Sequence, residues 1–178
     1  MASESTNVPN EKASFMAASS GLVPVAGATD IFTITGKAGR AIKINQIQIS
    51  GIATSAAAVP ISIVKRSSAN TGGTATQVTA VGMDSMNSGS AASATVQAYT
   101  ANPGALGAPI GSISTARMIL STASASVGTA PIVFAFERMY MKMPVLRDGT
   151  ESLCINYGGA TAAGNSIDVS VSWTEEQV

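Results

Sequence analysis

The chain contains no histidine, which removes the commonest general base, the Ser-His-Asp arrangement and most catalytic zinc sites together. A single cysteine, Cys154, leaves no intrachain disulfide. Its place between Leu153 and Ile155 reads as a small core residue rather than a nucleophile. Charged residues make up 11% of the sequence, against about 25% in an ordinary globular domain. Ten basic and ten acidic side chains cancel, so no cationic surface is available to displace counterions from a phosphate backbone, and nucleic acid is not an expected partner. A net charge of zero also favours association over life as a free monomer. No apolar run approaches the ~20 residues of a membrane-spanning helix; the most apolar window, Ala56–Val64, is interrupted by Pro60. The opening MASESTNVPN carries Glu4 and no apolar block, and is not expected to be a secretory signal.

What is present is β-like. Small residues dominate, and the longest ordered stretch is Ala41–Ile52, AIKINQIQISGI. Apolar side chains stand at Ile42 and Ile44, then at Ile47 and Ile49, so a period of two shifts phase by one residue at Asn45–Gln46. That pattern predicts a strand carrying a bulge, with all four isoleucines on one core. Further short strands are expected at Ala13–Ala18, Leu22–Val25, Ile31–Thr35, Val59–Val64, Gln77–Val81, Ala94–Tyr99, Ile110–Ile113, Met118–Leu120, Ile132–Phe136, Val145–Leu146, Leu153–Tyr157 and Ser166–Thr174. Gly36–Gly39 is expected to close a hairpin between Ile31–Thr35 and Ala41–Ile52, and Asp148-Gly149 another between Val145–Leu146 and Leu153–Tyr157. Ile132, Phe134 and Phe136 are expected to share one face of a central strand. With no long amphipathic helix, these strands predict an all-β fold: an antiparallel β-sandwich, jelly-roll-like, over residues 13–178, preceded by an N-terminal arm over residues 1–12. The arm is either a flexible tail or an extended segment laid across a neighbouring subunit.

Candidate chemistry is sparse. Asp148 with Glu151, and Asp168 with Glu137, are the carboxylate pairs a glycosidase-like reading would need, but hairpin turns and strand ends account for them. Asp148-Gly149-Thr150-Glu151 lacks the regular ligand run of a calcium loop. No catalytic, cofactor-binding or metal-binding residue is therefore assigned, and neither an enzyme nor a small-molecule substrate is expected. Glycan binding would need exposed flat rings. The aromatics are one Trp, three Tyr and four Phe, and Phe134, Phe136 and Trp173 fall in phase with core aliphatics, leaving Tyr99, Tyr140 and Tyr157. Met139, Met141 and Met143 share one face of a strand and have two readings, core filling or an adaptable subunit contact.

Three segments, ITGKAGRAIKINQIQISG, VKRSSANTGGT and ATVQAYTANPGALGAPIG, resemble small virion proteins of tailed bacteriophages, and the ending SIDVSVSWTE is similar to theirs as well. The resemblance implies a β-sandwich of the phage particle: a head-decoration or cement protein on the outer surface of the virion, made in the host cytoplasm. It also implies a homotrimer that bridges the major capsid protein. A tail, neck or head-fibre component and a glycan-binding module are the alternatives.

Overall fold

A computed structural model describes residues 12–24, 27–83, 91–122, 130–136, 142–159 and 164–178. The described residues contain strands and no helix. In chain order they are β1 (Ala13–Leu22), β2 (Ala28–Thr35), β3 (Arg40–Ala53), β4 (Ala57–Arg66), β5 (Thr74–Gln77), β6 (Val81–Gly82), β7 (Thr95–Ala101), β8 (Pro109–Thr122), β9 (Ile132–Ala135), β10 (Val145–Leu146), β11 (Ser152–Gly158) and β12 (Ser166–Gln177). Hydrogen bonding runs continuously through β5-β7-β2-β11-β4-β8-β3-β12-β1-β6, with β9 and β10 also on β3. Every pairing is antiparallel except a short parallel one, Ile52–Ala53 of β3 beside Ser121–Thr122 of β8. The all-β class is as expected. Its form is one mixed sheet curled into a half-barrel rather than two separate antiparallel layers.

Strand β3 organises the curl. Opposite β12, Gln46 faces Ser172 and Ile44 faces Trp173, so Asn45 is the extra residue of a bulge. The four isoleucines on either side are all buried, Ile42, Ile44 and Ile49 at 0% exposure and Ile47 at 1%. The other edge changes partner at the same place. Ile42 and Lys43 pair with β10, and Ile44 N–H donates to the Pro144 carbonyl at 3.0 Å. Beyond the bulge, Gln46–Ile49 pair with β9, and the Asn45 carbonyl accepts from Phe136 N–H at 2.9 Å. A bulge bends its strand and increases the local twist, which suits a strand serving two short partners in succession.

The core fills the curl. Trp173, fully buried, stacks on Phe15 with ring centroids 5.8 Å apart, amid Val169 and Val171 of β12, the β3 isoleucines, Ile61 and Ile63 of β4, Leu120 of β8, and Phe32, Ile34, Leu153 and Ile155. Gly51 is a close approach: a Cβ there would stand 2.6 Å from the Ser166 carbonyl oxygen.

Several local expectations differ from what forms. Neither predicted hairpin pairs its own strands. The Lys37–Arg40 turn exists, closed by Arg40 N–H to the Lys37 carbonyl at 3.1 Å with Gly39 at a φ of 77°. Yet β2 pairs with β7 and β11, while β3 pairs elsewhere. Likewise β10 lies on β3, whereas β11 lies between β2 and β4. Turn chemistry reverses a chain, but which strand then lies alongside is decided by the core each must cover. Ile110–Ile113 and Met118–Leu120 are parts of one 14-residue strand, β8. The expected Leu22–Val25 strand is absorbed at its start by β1, and the polar stretch before Gln77 supplies β5. The Ile132–Phe136 strand is short and pairs with β3 alone among the described residues; Phe134 is buried, and Ile132 and Phe136 pack partly buried against the core. Of the expected arm, residues 1–11 lie outside the described residues; Lys12 is exposed at the start of β1.

Trp173→Ala removes the largest fully buried side chain. Its expected cost is about 3–5 kcal/mol of unfolding free energy, measured by circular dichroism in urea, since the substitution also removes the only tryptophan reporter.

Candidate interaction surfaces

The most elaborate polar arrangement sits on the side of the sheet away from the core. In β2, Phe32 faces Ile155 of β11 while Asp30 faces Asn156, so Ile31 is bulged. The bulge takes Asp30 out of phase with core-facing Phe32 and sets it beside Asn156 and Arg66 of β4. Asp30, fully buried, accepts four hydrogen bonds. Arg66 Nε reaches Oδ2 at 2.6 Å and Arg66 Nη2 reaches Oδ1 at 2.8 Å. Asn70 Nδ2 reaches Oδ2 at 2.9 Å, and Asn156 Nδ2 reaches Oδ1 at 2.8 Å.

Two loops close over this pair. Arg66 Nη1 donates to the Gly107 carbonyl at 2.8 Å, and Gly107 N–H donates to Asn70 Oδ1 at 2.8 Å, completing a ring through Asp30. Thr71 and Ala105 exchange backbone bonds at 2.9 and 3.0 Å, and Ser67 N–H reaches the Ala108 carbonyl at 2.9 Å. Only glycine fits at Gly107, because a Cβ there would lie 1.9 Å from the Ser68 carbonyl oxygen. Burial by itself raises the Asp30 pKa; the hydrogen bonds from Arg66, Asn156 and Asn70 more than reverse this and hold it below the ordinary value of 3.8. The Asp30 carboxylate is fully engaged by Arg66, Asn70 and Asn156, and the arrangement fixes loops.

The other candidates are similarly engaged. Cys154, fully buried, has its thiol pushed up to about 12, first by burial and then by the negative charge of Asp30. Such a thiol is held in its protonated, weakly nucleophilic form near neutral pH. Glu151 accepts from Arg147 N–H at 2.8 Å and pairs with Lys65 at 3.1 Å, while Asp148 accepts weakly from Thr150 N–H at 3.3 Å. The two are a turn. Asp168 accepts from Gly21 N–H at 3.0 Å; Glu137 lies outside the described residues. A carboxylate the sequence does not single out, Glu175, is buried and collects Trp173 Nε1 at 2.9 Å together with the amides of Ser93 and Ala94, joining β12 to the approach to β7. Its signal was its place two residues beyond Trp173, in phase with the core. Among the described residues no three His, Cys, Asp or Glu side chains come together as a metal site. Tyr157 is buried and accepts from Asn165 Nδ2 at 2.9 Å. Tyr140 lies outside the described residues, and Tyr99 lines a groove of about 570 Å³ with Ser19, Ser20, Thr76, Thr79 and Thr100.

Two surfaces have capacity to spare. One edge of β8 pairs with β4 from Pro109 to Leu120, with bulges at Ile110 and Ile113. On the other edge, among the described residues, only Ser121 and Thr122 are paired. This open stretch carries exposed Ile110 (58%), Ile113 (42%) and Ile119 (54%) and a single charge, Arg117. The second is a cleft of about 350 Å³ lined by Lys43, Lys142, Met143, Val145 and Arg147. Of the methionines singled out by sequence, Met143 lines this cleft half-buried; Met139 and Met141 lie outside the described residues.

Asp30→Asn leaves Arg66 buried beside a neutral partner, with an expected loss of about 3–5 kcal/mol at neutral pH. Because the folded pKa of Asp30 is depressed, its contribution is complete above 3.8 and is lost as pH falls through the lower folded value. Urea titrations down the acid limb should therefore show a steeper fall for the parent than for the variant. Cys154 should resist a thiol-labelling reagent in native buffer and react fully in denaturant, as read by mass spectrometry. No family model, no curated protein and no solved structure matches the chain.

Proposed function

We propose that this is a structural virion protein that decorates and cements a bacteriophage capsid by bridging major capsid protein subunits. On this reading it is made in the host cytoplasm, acts as a homotrimer on the outer surface of the head, and uses its curled sheet as an open, jelly-roll-like sandwich. The observation that carries the proposal is the edge of β8 away from β4, which among the described residues is paired only at Ser121 and Thr122. Long, apolar, weakly charged edges invite pairing with another chain, and proteins that live alone blunt them with charges, proline, bulges or a covering element; β8 is bulged at Ile110 and Ile113 near Pro109, but from Ser114 to Leu120 its ladder to β4 is regular. Here Ile110, Ile113 and Ile119 stand exposed along it with only Arg117 as a charge. Support also comes from the resemblance of the segments quoted above, and from a molecule of zero net charge whose well-buried carboxylates, Asp30 and Glu175, are used to fix its own loops. The mechanism is mechanical: many modest contacts, repeated over a lattice, make a shell harder to open through multivalency.

A glycan-binding module is the second reading, favoured by the hydroxyl-lined groove beside Tyr99. Saturable binding on a glycan array that Tyr99→Ala abolishes would establish it in place of a purely structural role.

Replacing Ile113 and Ile119 together by aspartate alters two exposed side chains, so the expected change in stability is within about 1 kcal/mol. Association with capsids, measured by co-sedimentation, should be lost. Retained association would move the contact away from β8, and particles that resist heat and osmotic shock equally well without the protein would end the cementing proposal.

A further inference from the structure

The turn between β10 and β11 carries the chain's single Asp-Gly step, Asp148-Gly149, and the chain has no Asn-Gly. A turn glycine usually answers a need of the backbone, either a left-handed φ or a close approach. Gly149 answers neither. Its φ lies outside the left-handed region, and a Cβ placed on it would meet no atom within 4 Å. Gly36 nearby is different, since a Cβ there would stand 2.5 Å from the Asp148 carbonyl oxygen. Arg147, Asp148, Gly149 and Thr150 are all exposed. The Asp148 carboxylate accepts from Thr150 N–H at 3.3 Å, and among the described residues the Gly149 N–H has no hydrogen-bond partner.

The other described aspartates are held differently. Asp30 is buried, accepts four hydrogen bonds and precedes Ile31. Asp168 accepts from Gly21 N–H at 3.0 Å and precedes Val169, which pairs with Ile49 in the ladder of β12 to β3. In both, a stiff β-branched side chain flanks the amide that follows the carboxylate, and a strand fixes the backbone around it. At Asp148 neither obstacle is present: the following amide belongs to glycine and lies in an exposed turn.

We propose that Asp148-Gly149 is a site of spontaneous isoaspartate formation in the folded protein. The Gly149 amide nitrogen attacks Cγ of the protonated Asp148 carboxyl group. The N–Cγ bond forms, the C–OH bond breaks, and the hydroxyl leaves as water with the amide proton. Water then opens the five-membered succinimide. Opening at Cγ restores aspartate, whereas opening at the former backbone carbonyl leaves the chain running through Cβ and Cγ with a free carboxylate on Cα. The water lost in the first step returns in the second, so composition is unchanged and no oxidant or cofactor takes part. The backbone gains one atom in a turn that is tied on several sides. The Asp148 carbonyl accepts from Glu151 N–H at 3.3 Å and packs against Gly36. Glu151 in turn holds Arg147 N–H, Lys65 and, through its carbonyl, Gly36 N–H. Isomerisation therefore loosens the link between the ends of β2, β4 and β10, and it creates an L-isoaspartyl group, the class of substrate that protein carboxyl methyltransferases take. This inference is independent of the capsid reading.

The test is ageing of the full, folded chain in neutral buffer made with ¹⁸O water, with each peptide read by mass spectrometry and electron-transfer fragmentation. Every succinimide opening leaves one heavy oxygen at the residue that formed it. Label at Asp148 is expected to exceed that at Asp30 and Asp168 at least about tenfold, with isoaspartate outnumbering aspartate among the labelled molecules. A parallel sample in urea reports the unrestrained rate, and the folded rate is expected within about threefold of it. Gly149→Ala, which meets no atom and needs no left-handed φ, should slow labelling about tenfold and leave Tm unchanged. Aged protein should exchange the amide hydrogens of Glu151 and Gly36 faster than fresh protein. Even labelling of the three aspartates would overturn the proposal, as would a folded rate more than about tenfold below that in urea. So would a Gly149→Ala rate equal to the parent's, or unaltered amide exchange after ageing.

Discussion

Four isoleucines of β3 have to reach one core across an uneven gap, and the bulge at Asn45 is what lets them. Without the extra residue, either the pair Ile42 and Ile44 or the pair Ile47 and Ile49 would face away from the core, because side chains alternate strictly along a strand. Burying an isoleucine is worth roughly 1.5–3 kcal/mol, so losing two of them would cost an appreciable part of a domain's net stability. Everything near β3 follows from this placement. The ladder to β12 re-registers at Trp173, the other edge hands over from β10 to β9, and the far end of β3 meets β8 in the only parallel pairing among the described strands.

A second bulge, at Ile31, has the opposite purpose. It carries a carboxylate out of the core phase and into a place where a guanidinium and two amides meet it. A buried ion pair of this kind does not owe its presence to net stabilisation, since desolvation offsets most of the attraction. Its effect is specificity: Asp30 and Arg66 have one mutually satisfied geometry, and that geometry pins Asn70 and Gly107, and with them the loops after β4 and before β8. The entry to β8 depends on this ring. Glu175 acts similarly at the other end of the sheet by capping the amides that lead into β7. A chain with few charges places several of its best-ordered ones where they hold loops rather than where they meet solvent.

That distribution shapes the surface. Long-range electrostatic steering is weak in a molecule of zero net charge, so contacts must come from shape, apolar area and unpaired backbone. Among the described residues, the β8 edge offers exposed apolar side chains and unpaired backbone. The cleft at β10 is the exception, with Lys43, Lys142 and Arg147 gathered on its lining in a chain of zero net charge.

The sequence by itself determined the all-β class, the bulge at Asn45–Gln46, and the burial of Trp173 and Phe134, because each depends on a period of two and on side-chain size, which are local properties; Cys154 is buried as its size suggests, but on the face opposite Leu153 and Ile155, beside Asp30 and Arg66. It could not determine which strands lie side by side. The turns at Lys37–Arg40 and Asp148–Gly149 looked like hairpins, yet each sends its two strands to different partners; alternation says which face is buried and is silent on the neighbour across the ladder. The continuity of β8 was hidden by the serines, glycine and threonine between its isoleucines, which carry no apolar signal although their backbones pair with β4 without a break in the strand. Asp30, Arg66, Asn70 and Gly107 are scattered over nearly eighty positions, and no spacing rule joins them. Only the curl of the sheet brings them within hydrogen-bonding distance, because a polar side chain finds its partner in space and leaves no periodic trace in the chain.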